Sequence, residues 1–259
     1  MNGIYHIRQR TSRTKTPDPF IRPVPNNMIV TVFGDIDPEA ALGVVRENFG
    51  DLKPDPNFKP IAFDRPNAIA ESIVKHKDTG KDTGMVVLGY PVMSIFDKPD
   101  FAALTMLEAV MAGYQYPGGW LHNELRGAGL VYYVHAIPLT GPAPGYFIIL
   151  SQTRPDKIDE VVQRIQKNVA RAKAGEITAD EFDTARQRVI AMHAQENTTI
   201  AAQAQQAAPN TLFGLGYDYD KSFDARIQAV TLADVTRVAR KYLNQSVLVT
   251  TSPATAKEK

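Results

Sequence analysis

The sequence predicts an α+β fold, an antiparallel sheet packed against helices. Two features of the chain carry this. Short runs rich in β-branched and aromatic residues fall in adjacent pairs, 71–78 with 84–91 and 130–138 with 146–151, and strands joined by short turns pair antiparallel. Around them lie long segments with apolar residues at helical spacing, above all 97–113, 155–174 and 178–203.

Composition narrows the function classes. The chain has 259 residues, 44% hydrophobic and 22% charged, enough apolar material for one large core or two small ones. A net charge of +1 gives no reason to expect nucleic-acid binding. The absence of cysteine removes disulfides, thiolate zinc sites and cysteine nucleophiles together. No apolar run approaches the ~20 residues of a membrane span, and no apolar signal region follows Met1, so a soluble protein of the cytoplasm or the periplasm is expected.

Taken in order, residues 1–25 form a basic, proline-rich extension (Arg8, Arg10, Arg13, Lys15 and Arg22 against Asp18) and are expected to be irregular. Residues 28–34 read as a strand stopped by Gly34. Asp37 is a good N-cap and Pro38 suits the first helical position, with Ala41, Leu42, Val45 and Phe49 on one face of the helix that follows. Pro54, Pro56, Pro60 and Pro66 mark a linker over 51–68. The expected plan is an extension over 1–25, a strand-helix unit with linker over 26–68, a main domain over 69–252 and a tail over 253–259.

In the main domain, 71–78 and 84–91 flank a turn at 79–82 and are expected to form a hairpin. The helix over 97–113 has Pro99 in its first turn and an apolar face of Phe101, Leu104, Leu107 and Met111. Residues 117–134 follow, with a Gly118-Gly119 pair opening a helix over ~119–127 that carries Glu124, Leu125 and Arg126 before the strand over 130–138. The helix from Pro155 places acids at its start and bases at its end, which suits the helix dipole, and Gly175 stops it. Thr178 and Glu181 form a capping box for a helix through about Gln203. Pro209, Gly214 and Gly216 predict a loop over 204–216. Helices from Tyr219 to Val230 and after Thr231, then a strand over 246–251, complete the reading. Residues 26–34 repeat the end of the 231–251 unit, asparagine then apolar strand, without the preceding helix, as if one repeat unit starts partway through.

Three pieces together resemble the pitrilysin family of zinc peptidases, which includes insulysin and the mitochondrial processing peptidase. The first runs from Asn27 through the Gly34-Asp35-Ile36-Asp37-Pro38 turn to Phe49-Gly50-Asp51-Leu52. The second is Glu124-Leu125-Arg126 followed by Gly129-Leu130-Val131-Tyr132. The third is the 178–181 capping box opening a long helix after a β-β-α run. The resemblance covers roughly residues 26–252 and matches the end of the first half and the whole of the second, non-zinc half. It implies a half-unit of the mitochondrial-processing-peptidase type, one of two α+β halves that clasp a peptide. Zinc is then expected in the partner half, on an N-terminal half or a homologous subunit. Arg126 and a tyrosine of this chain are expected to hold the peptide backbone. Such a chain is part of a zinc metalloendopeptidase and inactive alone. The alternative is a degenerate structural or assembly subunit of the same family.

The residues themselves agree with the absence of a metal site in this chain. Neither H-x-x-E-H nor H-E-x-x-H occurs among His6, His76, His122, His135 and His193. His122 and Glu124 lie ~200° apart on a helix and cannot share a ligand. His193 and Glu196 share a face at i, i+3, a spacing more typical of a surface contact. No serine sits in a nucleophile elbow and no glycine-rich phosphate loop is present. That leaves Arg126, with its fixed fork of donors, and Tyr132 or Tyr133, each a donor on a rigid ring. The chain is one residue short of the family pattern between Arg126 and Gly129. Matching through Gly129 selects Tyr132, and counting from Arg126 selects Tyr133 as the alternative. Regular strand alternation would point the two to opposite faces. Without a substrate role, Arg126 would simply complement its helix end, and Trp120 is expected to be a core anchor.

Overall fold

A computed structural model describes residues 24–59 and 69–253, in two compact units, Met1–Pro60 and Ile61–Lys259. Most of the expected N-terminal extension, Pro60 and Pro66 of the expected linker, and the tail after Pro253 lie outside the described residues.

In the first unit, α1 (Pro38–Phe49) starts where its capping residues place it. The Asp37 carboxylate accepts the Ala40 N–H at 3.0 Å, and Pro38 follows. The strand expected over 28–34 is absent from the described residues, and Ile29, Val30, Val32 and Phe33 are exposed. Their β-branched character favours extended backbone, but a strand also needs a neighbouring ladder to complete it. No residue of α1 is buried either.

The second unit is built on a mixed sheet of β1 (Ile73–Thr79), β2 (Gly84–Pro91), β3 (Val131–Leu139), β4 (Tyr146–Thr153) and β5 (Val247–Pro253) in the order β1-β5-β2-β4-β3. The expected pairing of β3 with β4 forms, antiparallel. The expected hairpin of β1 with β2 does not, because β5 lies between them, parallel to β1 and antiparallel to β2. Side-chain chemistry explains this order. After Ile73 and Val74, β1 continues with Lys75, His76, Lys77 and Asp78, which suits an edge, whereas β5 brings Leu248 to the core. Strands β2 and β4 alternate buried and half-buried positions, so one face of the sheet is the core face.

On that face sits α2 (Lys98–Ala112). The expected apolar stripe understates its burial, because every residue from Ala102 to Met111 is buried. Helix α2 meets α3 (Gly119–Leu121), α5 (Ala179–Glu196), α7 (Phe223–Ala229), α8 (Leu232–Tyr242) and β3. A helix dry on all sides is a core helix, and its run of alanine, leucine and methionine, interrupted by the single acid Glu108, fits that place. Helix α4 (Ile158–Ala174) has its own buried stripe of Ile158, Val161, Ile165 and Val169, and Gly175 ends it in a left-handed cap.

The capping residues of α5 and α8 act as expected: Thr178 pairs with Glu181, and Thr231 with Asp234. The long helix expected through Gln203 instead ends at Glu196. Thr199 then caps α6 (Ile200–Leu212) by accepting the Ala202 N–H at 3.1 Å. The loop expected over 204–216 is mostly helix, with Pro209 inside its last turn. Pro209 has no N–H to give the Gln205 carbonyl, and the helix continues only to Leu212 beyond it.

One ion cluster fastens the start of α2 to α8. Asp100, buried, accepts from Arg237 Nη1 at 2.5 Å, Lys241 Nζ at 2.8 Å and the Tyr242 hydroxyl at 2.8 Å. Burial raises its pKa, but the three donors outweigh burial and hold it down to about 2. A depressed carboxylate stabilises the fold above its unfolded pKa of 3.8 and loses that contribution as pH falls towards 2. Asp100→Asn is expected to lower the unfolding free energy by about 2–3 kcal/mol at pH 7. It should also flatten the acid limb between pH 4 and 2. Urea titrations of both proteins across that range measure the two effects.

Candidate functional site

The site is built where α2 ends and the chain doubles back. Gly113 takes φ +87°, and Tyr114 and Gln115 continue in the left-handed region at +50° and +56°. Two such non-glycine residues in succession cost about 1–2 kcal/mol each. The compensation comes from the preceding turn, where the Glu108 carboxylate accepts the Gln115 backbone N–H. The turn then allows α3 to cross the end of α2 at backbone contact. At Gly119, φ is +72°, and a Cβ would lie 2.7 Å from the Val110 and Met111 main chain. This explains the second residue of the Gly118-Gly119 pair.

From Gly119 the chain continues as α3 and then as a π-helical segment, His122–Arg126. Trp120 is buried as a core anchor, as expected. Its Nε1 donates to Glu181 Oε1 at 2.8 Å, and the Arg171 guanidinium lies 3.8 Å over its ring. Glu181 thus closes the α5 capping box and also holds Trp120 and Arg171. Hydrogen bonds from the Thr178 backbone, Trp120 and Arg171 outweigh its burial and lower its pKa.

The Glu-Leu-Arg run separates into three roles. Glu124 accepts from Asn168 Nδ2 of α4 at 2.9 Å, and Leu125 is fully buried. Arg126 is exposed, with no hydrogen bond or ion pair among the described residues. The first two side chains fix the helix, and the third is presented by it.

Strand β3 follows Arg126 and is an edge strand of the sheet among the described residues. Its register slips between Val131 and Tyr133, so Tyr132 is the extra residue of a β-bulge. The bulge breaks the regular alternation on which the expectation of opposite faces rested. Val131, Val134 and Ala136 are buried, and one cavity at this strand is lined by Tyr132, Tyr133, Val134 and Ala136 together with Arg126. Tyr132 is 51% exposed. Tyr133 is half-buried, stacks on His135 at 5.5 Å between centroids and points its hydroxyl at Met85 Sδ at 3.6 Å.

The cavity has a volume of about 610 Å³ and runs along α2 past Phe101, Thr105, Glu108 and Ala112. Its charges are segregated. At one part lie Arg126, His122 and His135, where burial first and then Arg126 and His135 lower the His122 pKa. Glu108 and Tyr114 line another part, where burial, Glu196, Glu108 and Asp220 all raise the Tyr114 pKa. Glu108 is only 5% exposed, and burial pushes its carboxyl up to about 8. The sequence reading overlooked Glu108. The signal was present, since it is the sole charged residue between Phe101 and Gly118.

The described histidines do not suit zinc. His193, expected to make a surface contact, is instead clamped at 2.9 Å to both Asp220 and Asp224 and stacked on Phe223 at 4.0 Å. His76 bonds Thr250 at 2.8 Å, and His122 and His135 lie beside the Arg126 charge. No group of three or more histidine, aspartate or glutamate residues among the described residues is arranged to hold a metal ion. No helix of the described residues is long and apolar enough to cross a membrane.

Comparison with known proteins adds the family. Residues 23–189 match the model of the peptidase M16 inactive domain. No curated protein sequence matches the chain. Among solved structures, a protease from Helicobacter pylori superposes with a TM-score of 0.75 at 22% identity, over 85% of this chain and 54% of that one. A peptidase M16 inactive domain from Pseudomonas fluorescens gives 0.74 at 22%, over 87% of this chain and 53% of that one. A periplasmic protease from Escherichia coli gives 0.63 at 14%, over 85% of this chain and 25% of that one. At these identities the likeness shows the fold, and the chain spans about half the length of the first two.

Glu108 makes stability pH-dependent. Its folded pKa of about 8 lies above the unfolded 4.5, so the folded state holds the extra proton between those values and stability falls as pH rises through that window. The slope is at most about 1.4 kcal/mol per pH unit for one proton. Glu108→Gln should remove this slope between pH 5 and 8, measured by urea midpoints at each pH. An unchanged slope would show that Glu108 does not titrate there.

Proposed function

This chain belongs to the peptidase M16 inactive-domain family, and on that premise we propose that it is the non-catalytic, substrate-holding half of a zinc metallopeptidase. The observation that carries the reading is Arg126: rigidly mounted, exposed, unpaired among the described residues, and beside Tyr132 and Tyr133 on a free sheet edge. A fork of guanidinium donors suits the carbonyl oxygens of an extended peptide. The edge of β3 offers main-chain hydrogen bonds to the same peptide, and both tyrosines line the cavity that Arg126 lines. Tyr132, more exposed and with no hydrogen bond in the described residues, is the tyrosine assigned to the peptide.

Arg126 acts by holding and polarising a carbonyl, an electrostatic contribution from a preorganised donor. Zinc chemistry belongs to a partner half, an N-terminal half or a homologous subunit, because the donor set here does not fit the metal. The structural-subunit alternative accounts less well for an arginine with no side-chain partner among the described residues, since a purely structural copy has no use for it. The E. coli neighbour is periplasmic, and that compartment fits a cysteine-free chain such as this one.

Arg126→Ala in the chain reconstituted with a zinc-bearing half should lower kcat/KM for a peptide roughly 10- to 100-fold, the worth of one charge-assisted hydrogen bond. Tyr132→Phe should lower it more than Tyr133→Phe. Full activity of the arginine variant would remove the substrate role. Metal analysis of the chain alone should find no tightly bound stoichiometric zinc, and finding it would overturn the division of labour.

A further inference from the structure

The cavity beneath Arg126 holds a group that peptide-backbone binding does not use. Glu108 lines it from the middle of α2, 5% exposed, and makes no ion pair among the described residues. Its assigned contact is the Gln115 backbone N–H. A carboxylate offers about four acceptor positions on two oxygens, so one amide leaves most of them unused. A glutamine would satisfy the same turn and avoid burying an acid. The carboxyl is therefore more than the loop requires.

The surroundings specify what would satisfy it. Glu196, at the end of α5, and Asp220 add negative charge at this part of the cavity, and no lysine or arginine acts on Glu108 or Tyr114 there. The Arg126 cation, with His122 and His135, is grouped separately. Phe101, Ala112 and Ile137 supply apolar lining. An apolar channel leading to a desolvated acid is the complement of a long aliphatic stem ending in a cation. Burial keeps the proton on Glu108 up to about pH 8, and a cation placed beside it favours the ionised carboxylate, so binding of a cation releases that proton.

We propose that this cavity is a side-chain pocket for a basic residue, lysine or arginine, of an extended peptide whose backbone lies along Arg126 and the β3 edge. The proposal rests on the peptide-holding reading above and adds a preference to it. The segregated charge then has a use: carbonyl oxygens of the peptide meet the cationic part while its basic side chain reaches Glu108. A peptide with an acid at that position finds no lysine or arginine acting on Glu108 and meets the negative influence of Glu196 there.

The test uses the full chain and capped eight-residue alanine-serine peptides carrying lysine, norleucine or glutamate at one central position, with Kd measured by calorimetry at pH 9, above the Glu108 pKa of about 8 and below that of lysine. Norleucine keeps the stem of lysine and removes the charge. The lysine peptide should bind at least 10-fold more tightly than the norleucine peptide, and the glutamate peptide more weakly than both. Glu108→Gln should bring lysine and norleucine within about twofold, while Arg126→Ala should weaken all the peptides alike. Equal wild-type affinities for lysine and norleucine, or tighter binding of glutamate, would overturn the pocket and leave the peptide-holding reading intact if Arg126→Ala still weakens binding. Failure of all three peptides to bind the wild-type chain would overturn both. The wild-type comparison decides the matter even if Glu108→Gln fails to fold.

Discussion

The second unit depends on keeping α2 dry. Ala102 through Met111 are buried in succession, so the helix needs cover on every side, and the sheet, α3, α5, α7 and α8 supply it. That requirement makes its two buried acids informative. Asp100 meets three donors and becomes a fastening to α8, with a depressed pKa. Glu108, two turns further along, meets one backbone amide and has a raised pKa. The same helix therefore carries one carboxylate satisfied by the fold and one left with unused acceptors beside a cavity.

Around that helix the site is assembled by fixing some residues so that others are free. Left-handed backbone at 113–115 and the bare Gly119 turn α3 across the end of α2. Trp120, clamped between Arg171 and Glu181, and Leu125, fully buried, stop the helix from rotating. Glu124 ties it to α4 through Asn168. Arg126 is what remains, a cation whose position is set by neighbours and whose own hydrogen-bond donors are unspent among the described residues. Preorganisation of this kind lowers the cost of ordering a side chain on binding.

Much of this was legible from residue order because the signals are local. Asp37, Thr178 and Thr231 cap helices through bonds to residues three positions on. The Glu124–Arg126 and Gly129–Tyr132 run marked both the family and the place of the candidate site. The misreadings arose where local signals were ambiguous. The turn at 79–82 is compatible with a hairpin, yet β5, some 170 residues away in sequence, takes the place beside β2. Pro209 reads as a break, yet α6 runs through it to Leu212 with the loss of the bond its N–H would have made. Residues 28–33 read as a strand on composition, but composition cannot provide a ladder.

The sequence by itself determined the α+β class, the helix starts, the family and the candidacy of Arg126, because each rests on residues adjacent in the chain or on a motif read in order. Tertiary structure alone decided the rest. The bulge opposite Gln152 broke the alternation of Tyr132 and Tyr133 along β3, and a bulge is a property of two strands in register. Packing on every side of α2 turned Glu108 from one acid in an apolar helix into a desolvated carboxyl facing a cavity. Desolvation is the sum of everything that surrounds a group, and most of what surrounds Glu108 is distant from it in the chain.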